Sequence, residues 1–311
     1  MSAPGTVMRV RKTLRGVGKT FIAAGTLILL FVAYQLWGTG IAEAHSQQVL
    51  KKQFQAEVAP APPPITTPTT VDSGPTTTLA PLVPPPTGDA VAIIDIPKIG
   101  VDSAVVQGVG VSDLQKGPGH YPDSPMPGQV GNAAIAGHRT TYGAPFYDLN
   151  ELQPGDHIYI TTKDSPRPWN YEVMSSHSVD PSDVSVLNPT TTAMLTLTTC
   201  TPRFSASQRL VVVSKLIGAV DPRPFVPPPA APSSSSTAEA FGAPDVGLSG
   251  QGTSTLPAIL WGLACALIWG LAWVVGHRWR RWTTYAIATP VFLLVLFFFF
   301  RNFASFVPAD V

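Results

Sequence analysis

Three long runs of apolar residues are the most prominent pattern in this sequence. The first run, Phe21 to Trp37, is interrupted only by Thr26 and Gln35. Two more runs lie near the other end of the chain, at Leu256 to Gly276 and Thr283 to Phe300. A helix needs roughly 20 apolar residues to cross the hydrocarbon core of a bilayer. The pattern therefore predicts transmembrane helices over 21–37, 256–276 and 283–300, and a multi-pass protein of the cell membrane.

The positions of the basic residues predict how these helices are oriented. Residues 1–20 and the loop 277–282 contain Arg and Lys without any acidic residue, which is typical of the cytoplasmic side. The segment 38–255 is then extracellular and faces the cell wall, and 301–311 is a short tail. Ala42-Glu43-Ala44 resembles a signal-peptide cleavage site. The first run is nevertheless longer than the usual 7–15 residues of a cleaved signal, which favours an uncleaved signal anchor.

Two Pro-rich stretches separate a globular region from the predicted spans. Residues 38–88 contain a short polar neck over His45–Glu57, predicted to be helical, and then a Pro/Thr tract almost without charge. Residues 221–255 form a second Pro/Ser-rich linker. Such compositions cannot bury a core and predict extended segments. The first linker is expected to hold the globular domain, residues 89–220, away from the membrane.

The globular region shows the short strand-like segments and the punctuation of an all-β domain. Short strand-like segments are separated by Gly, Pro and Asp, as in Gln153-Pro154-Gly155-Asp156, and helical turns are expected only near 112–116 and 145–149. The predicted strands are Ala90–Ile96, Ala104–Val106, Asn132–Ala136, His157–Thr161, Trp169–Met174, Met194–Thr199 and Leu210–Ile217. Many short strands without alternating helices predict a β-sandwich or β-barrel.

Charge and composition exclude several kinds of function for this domain. Residues 89–220 contain 8 Lys+Arg and 12 Asp+Glu, a net charge of −4, whereas nucleic-acid binding requires a basic surface. The domain has four histidines and one cysteine without metal-ligand spacing, and no EF-hand-like loop. We therefore expect no metal, no cofactor and no nucleic-acid partner.

Candidate chemistry is concentrated on one cysteine, one histidine and one arginine. Cys265 lies in a predicted span, so Cys200 has no partner for a disulfide and is expected to be a reactive thiol or to pair with another chain. A buried, inert thiol is the alternative. A thiolate attacks carbonyl groups, and a histidine such as His138 can hold and return the proton. Arg209 can stabilise an oxyanion, provided that the fold brings the three residues together.

Five motifs in the order of the chain resemble those of the sortase family, and the resemblance covers residues of about 90 to 220. The run ending at Cys200, followed closely by Arg209, is the most specific of them, and its form is most similar to class E sortases of actinobacteria. The motifs are Ile96-Pro97-Lys98-Ile99-Gly100, Gly117-Pro118-Gly119-His120-Tyr121, Gly131-Asn132 with Ala136-Gly137-His138-Arg139, Thr196-Leu197-Thr198-Thr199-Cys200, and Arg209-Leu210-Val211-Val212.

The resemblance implies a closed eight-stranded β-barrel and a cysteine transpeptidase. Such an enzyme cleaves secreted proteins at a C-terminal LAXTG- or LPXTG-like sorting motif between Thr and Gly, through a thioacyl intermediate. It then transfers them to the amine of a peptidoglycan precursor (lipid II). Carried over by position, Cys200 is the nucleophile, His138 the general acid, and Arg209 the ligand of the oxyanion and substrate.

Three further residues are expected beside the substrate. The resemblance implies that Thr199 lends hydrogen bonding beside the oxyanion, and that Tyr121 lies where class E relatives place a tyrosine associated with alanine preference. Tyr142 follows the histidine in a loop that can flank the cleft, as does Arg139; ordinary surface positions are the alternative for both. His120 is expected to be structural.

Two other functions remain open on the sequence. A pilin-polymerising sortase has the same three residues, with a pilin lysine as the acceptor. The second is a catalytically silent, membrane-tethered scaffold of the cell wall. A scaffold has no need of all three residues, so their presence argues against this function. The C-terminal pair of spans departs from the single N-terminal anchor usual in the family.

Overall fold

The chain was analysed as a computed structural model, which describes residues 4–58, 84–165, 167–225, 256–278 and 281–303. Most of both predicted linkers, the residues at 279–280 and the end of the tail lie outside these residues. The helices are α1 (Pro4–Ala33), a π-helical turn (Tyr34–Gly38), α2 (Thr39–Glu57), α3 (Val111–Leu114), α4 (Leu256–Arg278) and α5 (Arg281–Phe303). The strands are β1 (Ala90–Ile96), β2 (Val101–Gln107), β3 (Gly119–His120), β4 (Gly131–Ala136), β5 (His157–Thr162), β6 (Trp169–Val179), β7 (Ala193–Thr201) and β8 (Gln208–Ile217). Short 3₁₀ turns lie at Pro97–Ile99, Leu149–Glu151 and Val184–Leu187.

The eight strands form a closed barrel in the order β1-β2-β3-β4-β7-β8-β6-β5. Closure is made by the antiparallel pair of β1 and β5, so the sheet leaves no free edge in this ring. Two neighbouring pairs, β2–β3 and β4–β7, are parallel, and the others are antiparallel. The all-β barrel expected from the sequence is confirmed.

The interior of the barrel is filled by alternate residues of the strands. Ile94, Ile135, Leu197 and Val212 are fully buried there, together with Tyr171. Each large apolar side chain removed from water stabilises the fold by about 1.5–3 kcal/mol. The remaining alternate residues face outward, and on β4, β7 and β8 this outer face holds the candidate chemistry.

Helix α2 packs against the outside of the barrel, which the sequence did not predict. Leu50 and Phe54 lie in one cluster with Ala90, Ala104 and Val106 of β1 and β2. The side-chain amide of Gln47 accepts a hydrogen bond from Ala104 N (2.7 Å) and donates to Ala104 O (3.0 Å) and Lys116 O (2.8 Å). The region predicted as linker over 38–88 therefore includes a helix that belongs to the domain.

The packing of α2 also defines where the first Pro-rich tract begins relative to the domain. The residues between α2 and β1 join two parts of the same compact unit, because α2 already contacts the barrel before the tract begins. The tract therefore follows a helix that already contacts the barrel, and its role as a spacer stays a prediction. Only Gly38 separates the span predicted over 21–37 from Thr39, the first residue of α2.

The described domain also extends beyond its predicted end at residue 220. Asp221 N donates to Gly128 O (2.8 Å), and Asp221 forms a bridge with Gln129. The guanidinium of Arg223 donates to both carboxylate oxygens of Asp221, while Gln129 Nε2 donates to Arg223 O (3.1 Å).

Helices α1, α4 and α5 belong to a second compact unit of the chain. The described residues contain three helical stretches long and apolar enough to cross a membrane, at Leu14–Glu57, Leu256–Arg278 and Trp282–Phe303. Tyr34 packs against the rings of Phe297 and Phe300 (5.4 and 5.8 Å between centroids), and Trp261 stacks on Phe298 (4.9 Å). These contacts join the N-terminal helix and the C-terminal pair into one apolar unit.

Candidate active site

Strand register relates the three candidate residues, which lie on β7, on β8 and in the segment directly after β4. Cys200 lies directly opposite Arg209 in the antiparallel pair of β7 and β8. On the other side of β7, the parallel register pairs Ala136 with Thr198. Continuing that register by two residues brings His138 beside Cys200. Neighbouring strands are about 4.8 Å apart, and residues opposite each other point to the same face. The fold therefore brings the predicted three residues together.

Two hydrogen bonds fix the segment that carries the histidine to the end of β7. Gly137 N donates to Thr198 O (3.0 Å), and Thr199 Oγ1 donates to Gly137 O (2.7 Å). The hydroxyl hydrogen of Thr199 is thus used by the backbone next to His138. The role of Thr199 beside an oxyanion stays a prediction, whereas its contact in this structure holds two strands in register.

His138 is a buried imidazole, with 7% of its surface exposed. Burial lowers the pKa of His138 to about 4, since the charged form loses hydration. The ring is therefore neutral at pH 7 and can accept a proton. Its Nδ1 lies 3.5 Å from Thr141 Oγ1, and the ring of Tyr142 lies 5.0 Å away between centroids. Tyr142, expected to flank the cleft, thus contacts the histidine itself.

Cys200 is half-buried, and its backbone is held by an arginine that the sequence placed only in a flanking loop. Arg139 Nη1 donates to Cys200 O (3.2 Å), Nη2 to Asn150 Oδ1 (2.6 Å) and Nε to Tyr147 O (3.3 Å). Only 6% of the surface of Arg139 is exposed. Arg139 is therefore a positioning residue for the end of β7, and the one signal for it in the sequence is its place directly after His138.

Arg209 lies on the other side of Cys200 and is partly exposed. Its Nη1 donates to Ala206 O (3.0 Å) and Gln208 O (3.4 Å) in the loop between β7 and β8. Both bonds use one of the nitrogens, and a guanidinium has five N–H donors. The side chain is thus held by its own loop, and its other N–H groups can donate to a carbonyl oxygen.

Tyr121 forms part of a small apolar cluster on the outer face next to these residues. Its partners there include Ala134, Ala136 and Val211, which alternate with the residues of the barrel interior. Tyr121 Oη lies 3.5 Å from Thr198 Oγ1. Burial raises the pKa of Tyr121 to about 12, so the phenol keeps its proton at neutral pH. Tyr121 can therefore donate a hydrogen bond near Cys200, but it cannot act as a general base.

His120 is buried in a different set of contacts, as expected of a structural histidine. Its Nδ1 lies 3.0 Å from Gln107 Oε1, and its Nε2 lies 3.0 Å from Pro125 O and 3.1 Å from Ser124 Oγ. Burial lowers the pKa of His120 to about 4. Among the described residues, no group of three or more His, Cys, Asp or Glu side chains is placed to hold a metal ion.

Comparisons with known proteins match the region that contains this site. The family description "Sortase domain" matches residues 94–217. The chain is similar to sortase SrtE1 of Streptomyces coelicolor, with 35% identity over 65% of this chain and 57% of that protein. It is also similar to sortase D of Bacillus subtilis, with 36% identity over 43% of this chain and 67% of that protein.

Among solved structures, sortase E from Streptomyces avermitilis has 36% identity and a TM-score of 0.39, covering 43% of this chain and 91% of that chain. The alignment with SrtE1 spans little more than half of that protein's length. The match to SrtE1, together with the family match, is consistent with the class E likeness of the motifs. The chain belongs to the sortase family.

Proposed function

We propose that this protein is a membrane-anchored transpeptidase of class E type, which cleaves a LAXTG- or LPXTG-like sorting signal between Thr and Gly. Cys200, His138 and Arg209 carry the reaction, with Thr199, Tyr121 and Tyr142 beside the substrate. The observation that supports this most directly is the register of the strands, which pairs Cys200 with Arg209 and pairs Ala136 with Thr198, two residues before His138 and Cys200. Each residue type suits one step of acyl transfer to and from a thiol.

In the first half of the reaction, the sulfur of Cys200 forms a bond to the Thr carbonyl carbon. The thiol proton passes to the neutral imidazole of His138, and Arg209 donates hydrogen bonds to the oxyanion that develops. The C–N bond to Gly then breaks, and the imidazolium gives its proton to the leaving amine. The product is a thioester on Cys200 and a free C-terminal fragment.

In the second half, an amine attacks the thioester carbon. The imidazole accepts a proton from the attacking amine as the new amide bond forms. The C–S bond then breaks, and the imidazolium returns the proton to the sulfur, which restores the Cys200 thiol and the neutral imidazole. We propose the amine of a peptidoglycan precursor (lipid II) as this acceptor, with secreted proteins that carry C-terminal sorting signals as the donors. The domain 89–220, with α2 added to it, lies outside the cell, and the three apolar helices anchor it in the membrane.

The decisive experiment is a search for the thioester. Full-length protein in detergent is mixed with a peptide containing Leu-Ala-x-Thr-Gly, and intact mass spectrometry records the protein mass before and after addition of an amine. We expect an adduct of the peptide up to Thr, absent in Cys200→Ala, which the amine converts into a new amide. Absence of an adduct with this peptide and with its Leu-Pro counterpart, from folded protein, would favour a catalytically silent scaffold.

A test of Arg139 follows from its hydrogen bond to Cys200. Arg139→Lys keeps the charge but loses the planar fork that reaches Cys200 O, Tyr147 O and Asn150 together. We expect thioester formation to slow about tenfold, since small displacements of a reacting group are costly in rate. Quenched time points analysed by mass spectrometry give the rate.

The matched control for this variant is Arg167→Lys, at an exposed position between β5 and β6. It should react at the wild-type rate. If Arg139→Lys also reacts at that rate, with an unchanged melting temperature, Arg139 does not position the thiol.

A further inference from the structure

The turn that follows His138 has an unusual backbone. Tyr142, Gly143 and Ala144 have φ values of +49°, +73° and +46°, so three consecutive residues lie in the left-handed region. Residues with a Cβ rarely adopt this conformation, which costs about 1–2 kcal/mol for each of them. Such a turn persists only when surrounding contacts hold it in place.

The first turn of α2 supplies such contacts. Thr39 Oγ1 accepts a hydrogen bond from Tyr142 N (3.1 Å), and the surface of Thr39 is only 1% exposed. The carboxyl group of Glu43, at the end of the same turn, lies so close to Gly143 that a Cβ at that position would overlap it. Burial raises the pKa of Glu43 to about 7, so much of the carboxyl is neutral there at pH 7.

The same turn contacts the histidine on its other side. The ring of Tyr142 lies 5.0 Å from the ring of His138, and Thr141 Oγ1 lies 3.5 Å from His138 Nδ1. A continuous path of contacts therefore runs from α2 through the Tyr142–Gly143 turn to the imidazole. The remainder of α2 is fixed to the barrel by Gln47, Leu50 and Phe54, so the first turn has a rigid base.

We propose that the first turn of α2 is a positioning element of the active site: Thr39 and Glu43 hold the Tyr142–Gly143 turn, and through it the imidazole of His138. Neither residue is assigned contact with the substrate. The inference rests on the proposed transpeptidase function, and it adds that the segment next to the membrane anchor is needed for the reaction itself. A barrel without α2 would have its nucleophile but a displaced histidine.

The first test compares Thr39→Val with Thr39→Ser in full-length protein in lipid nanodiscs. Valine has the shape of threonine but cannot accept the hydrogen bond from Tyr142 N, whereas serine can. We expect Thr39→Val to lower kcat about fivefold, the effect of losing one hydrogen bond, with KM for the peptide changed less than twofold. Thr39→Ser should recover most of kcat. Lys52→Ala, at an exposed position of the same helix, should behave as the wild type.

The second test uses the close approach of Gly143 and Glu43. Gly143→Ala introduces a methyl group against the carboxyl, and we expect kcat to fall more than tenfold. Gly100→Ala is the matched control, because Gly100 has a similar φ of +67° and no atom near its Cβ position. In the double variant Glu43→Ala with Gly143→Ala the overlap is removed, so the loss of kcat should be smaller than in Gly143→Ala alone.

Hydrogen exchange gives a readout that does not depend on activity. Loss of the Thr39 acceptor should raise the exchange rate of the segment 139–147, including the amide of Tyr142, while exchange in the barrel strands stays unchanged. If the wild type forms no thioester, the proposed function fails, and the exchange result still tests the contact. The positioning role is excluded if Thr39→Val matches Thr39→Ser in both kcat and exchange.

Discussion

Replacing His138 with glutamine is expected to lower the rate of amide formation by at least about 10³-fold, within the range found for general acid–base catalysis. Glutamine fills much of the same space and forms hydrogen bonds, but it cannot take up the proton of Cys200 and return it to an amine. The rate is measured in full-length protein by following the amide product with a LAXTG-type peptide and an amine. A loss smaller than tenfold would remove His138 from the mechanism.

His120 provides the matched control for this variant. Both histidines are buried and both have a pKa lowered to about 4, but His120 contacts Gln107 and Pro125 instead of the residues near Cys200. His120→Gln is expected to lose stability and to keep most of its kcat. The pair of variants separates the chemical role of an imidazole from the effect of disturbing a buried side chain.

The lowered pKa of His138 also has a consequence for stability in acid. Between pH 6.5 and about 4 the unfolded chain binds a proton at this histidine and the folded protein does not. Because unfolding then takes up a proton, the free energy of unfolding falls as the pH falls through this window. Since glutamine does not titrate, His138→Gln should show a shallower decline of the melting temperature from pH 7 to pH 5 than the wild type. His120 remains in the variant and retains its own part of the decline.

Gly128→Ala is expected to destabilise the barrel by about 3 kcal/mol or more, since it combines backbone strain with overpacking. Gly128 has a φ of +99°, and a Cβ there would overlap the indole ring of Trp169. The backbone cannot easily move, because Gly128 N donates to Tyr171 Oη (2.7 Å) and Gly128 O accepts from Asp221 N (2.8 Å). Trp169 is held in turn by its bond to Thr162 Oγ1 (3.1 Å).

Thermal unfolding followed by near-ultraviolet circular dichroism measures this effect. For a domain of this size the melting temperature should fall by about 10 °C. Gly155→Ala is the control, because Gly155 has nearly the same φ of +95° but no atom close to its Cβ position. It should cost only the backbone strain, about 1 kcal/mol. Equal losses in the two variants would show that the contact with Trp169 is unimportant.

The sequence predicted the strands of the barrel well where the residues of a segment are sufficient by themselves to indicate a strand. Short runs rich in Val and Ile at Ala90–Ile96 and Leu210–Ile217 indicate strands, and both are strands in the structure. It underestimated β6, which was predicted to end at Met174 and continues to Val179. The additional residues are exposed and mostly polar, and they are ordered by pairing with β8 beyond a bulge after Val173.

Helix α2 shows where local pattern is insufficient. The helical neck was predicted, but its association with the barrel depends on two apolar residues, Leu50 and Phe54, and on one amide, Gln47. So few apolar positions do not distinguish a packed helix from a solvated one in the sequence. The partners are also distant in the chain, since Gln47 bonds the backbone of Ala104 and Lys116. The contacts of Thr39 and Glu43 with the loop that follows His138 could not be predicted from the sequence either.

The sequence by itself determined the three apolar helices, the all-β class of the domain, and Cys200, His138 and Arg209 as the candidate reacting residues. These follow from composition, periodicity and short motifs, each confined to neighbouring residues. Only the tertiary structure decided that β4 and β7 run parallel side by side, that Arg139 holds the cysteine backbone, and that α2 belongs to the domain. Those features depend on pairings between segments about 50 to 100 residues apart, which burial and hydrogen bonding select only when the whole barrel closes.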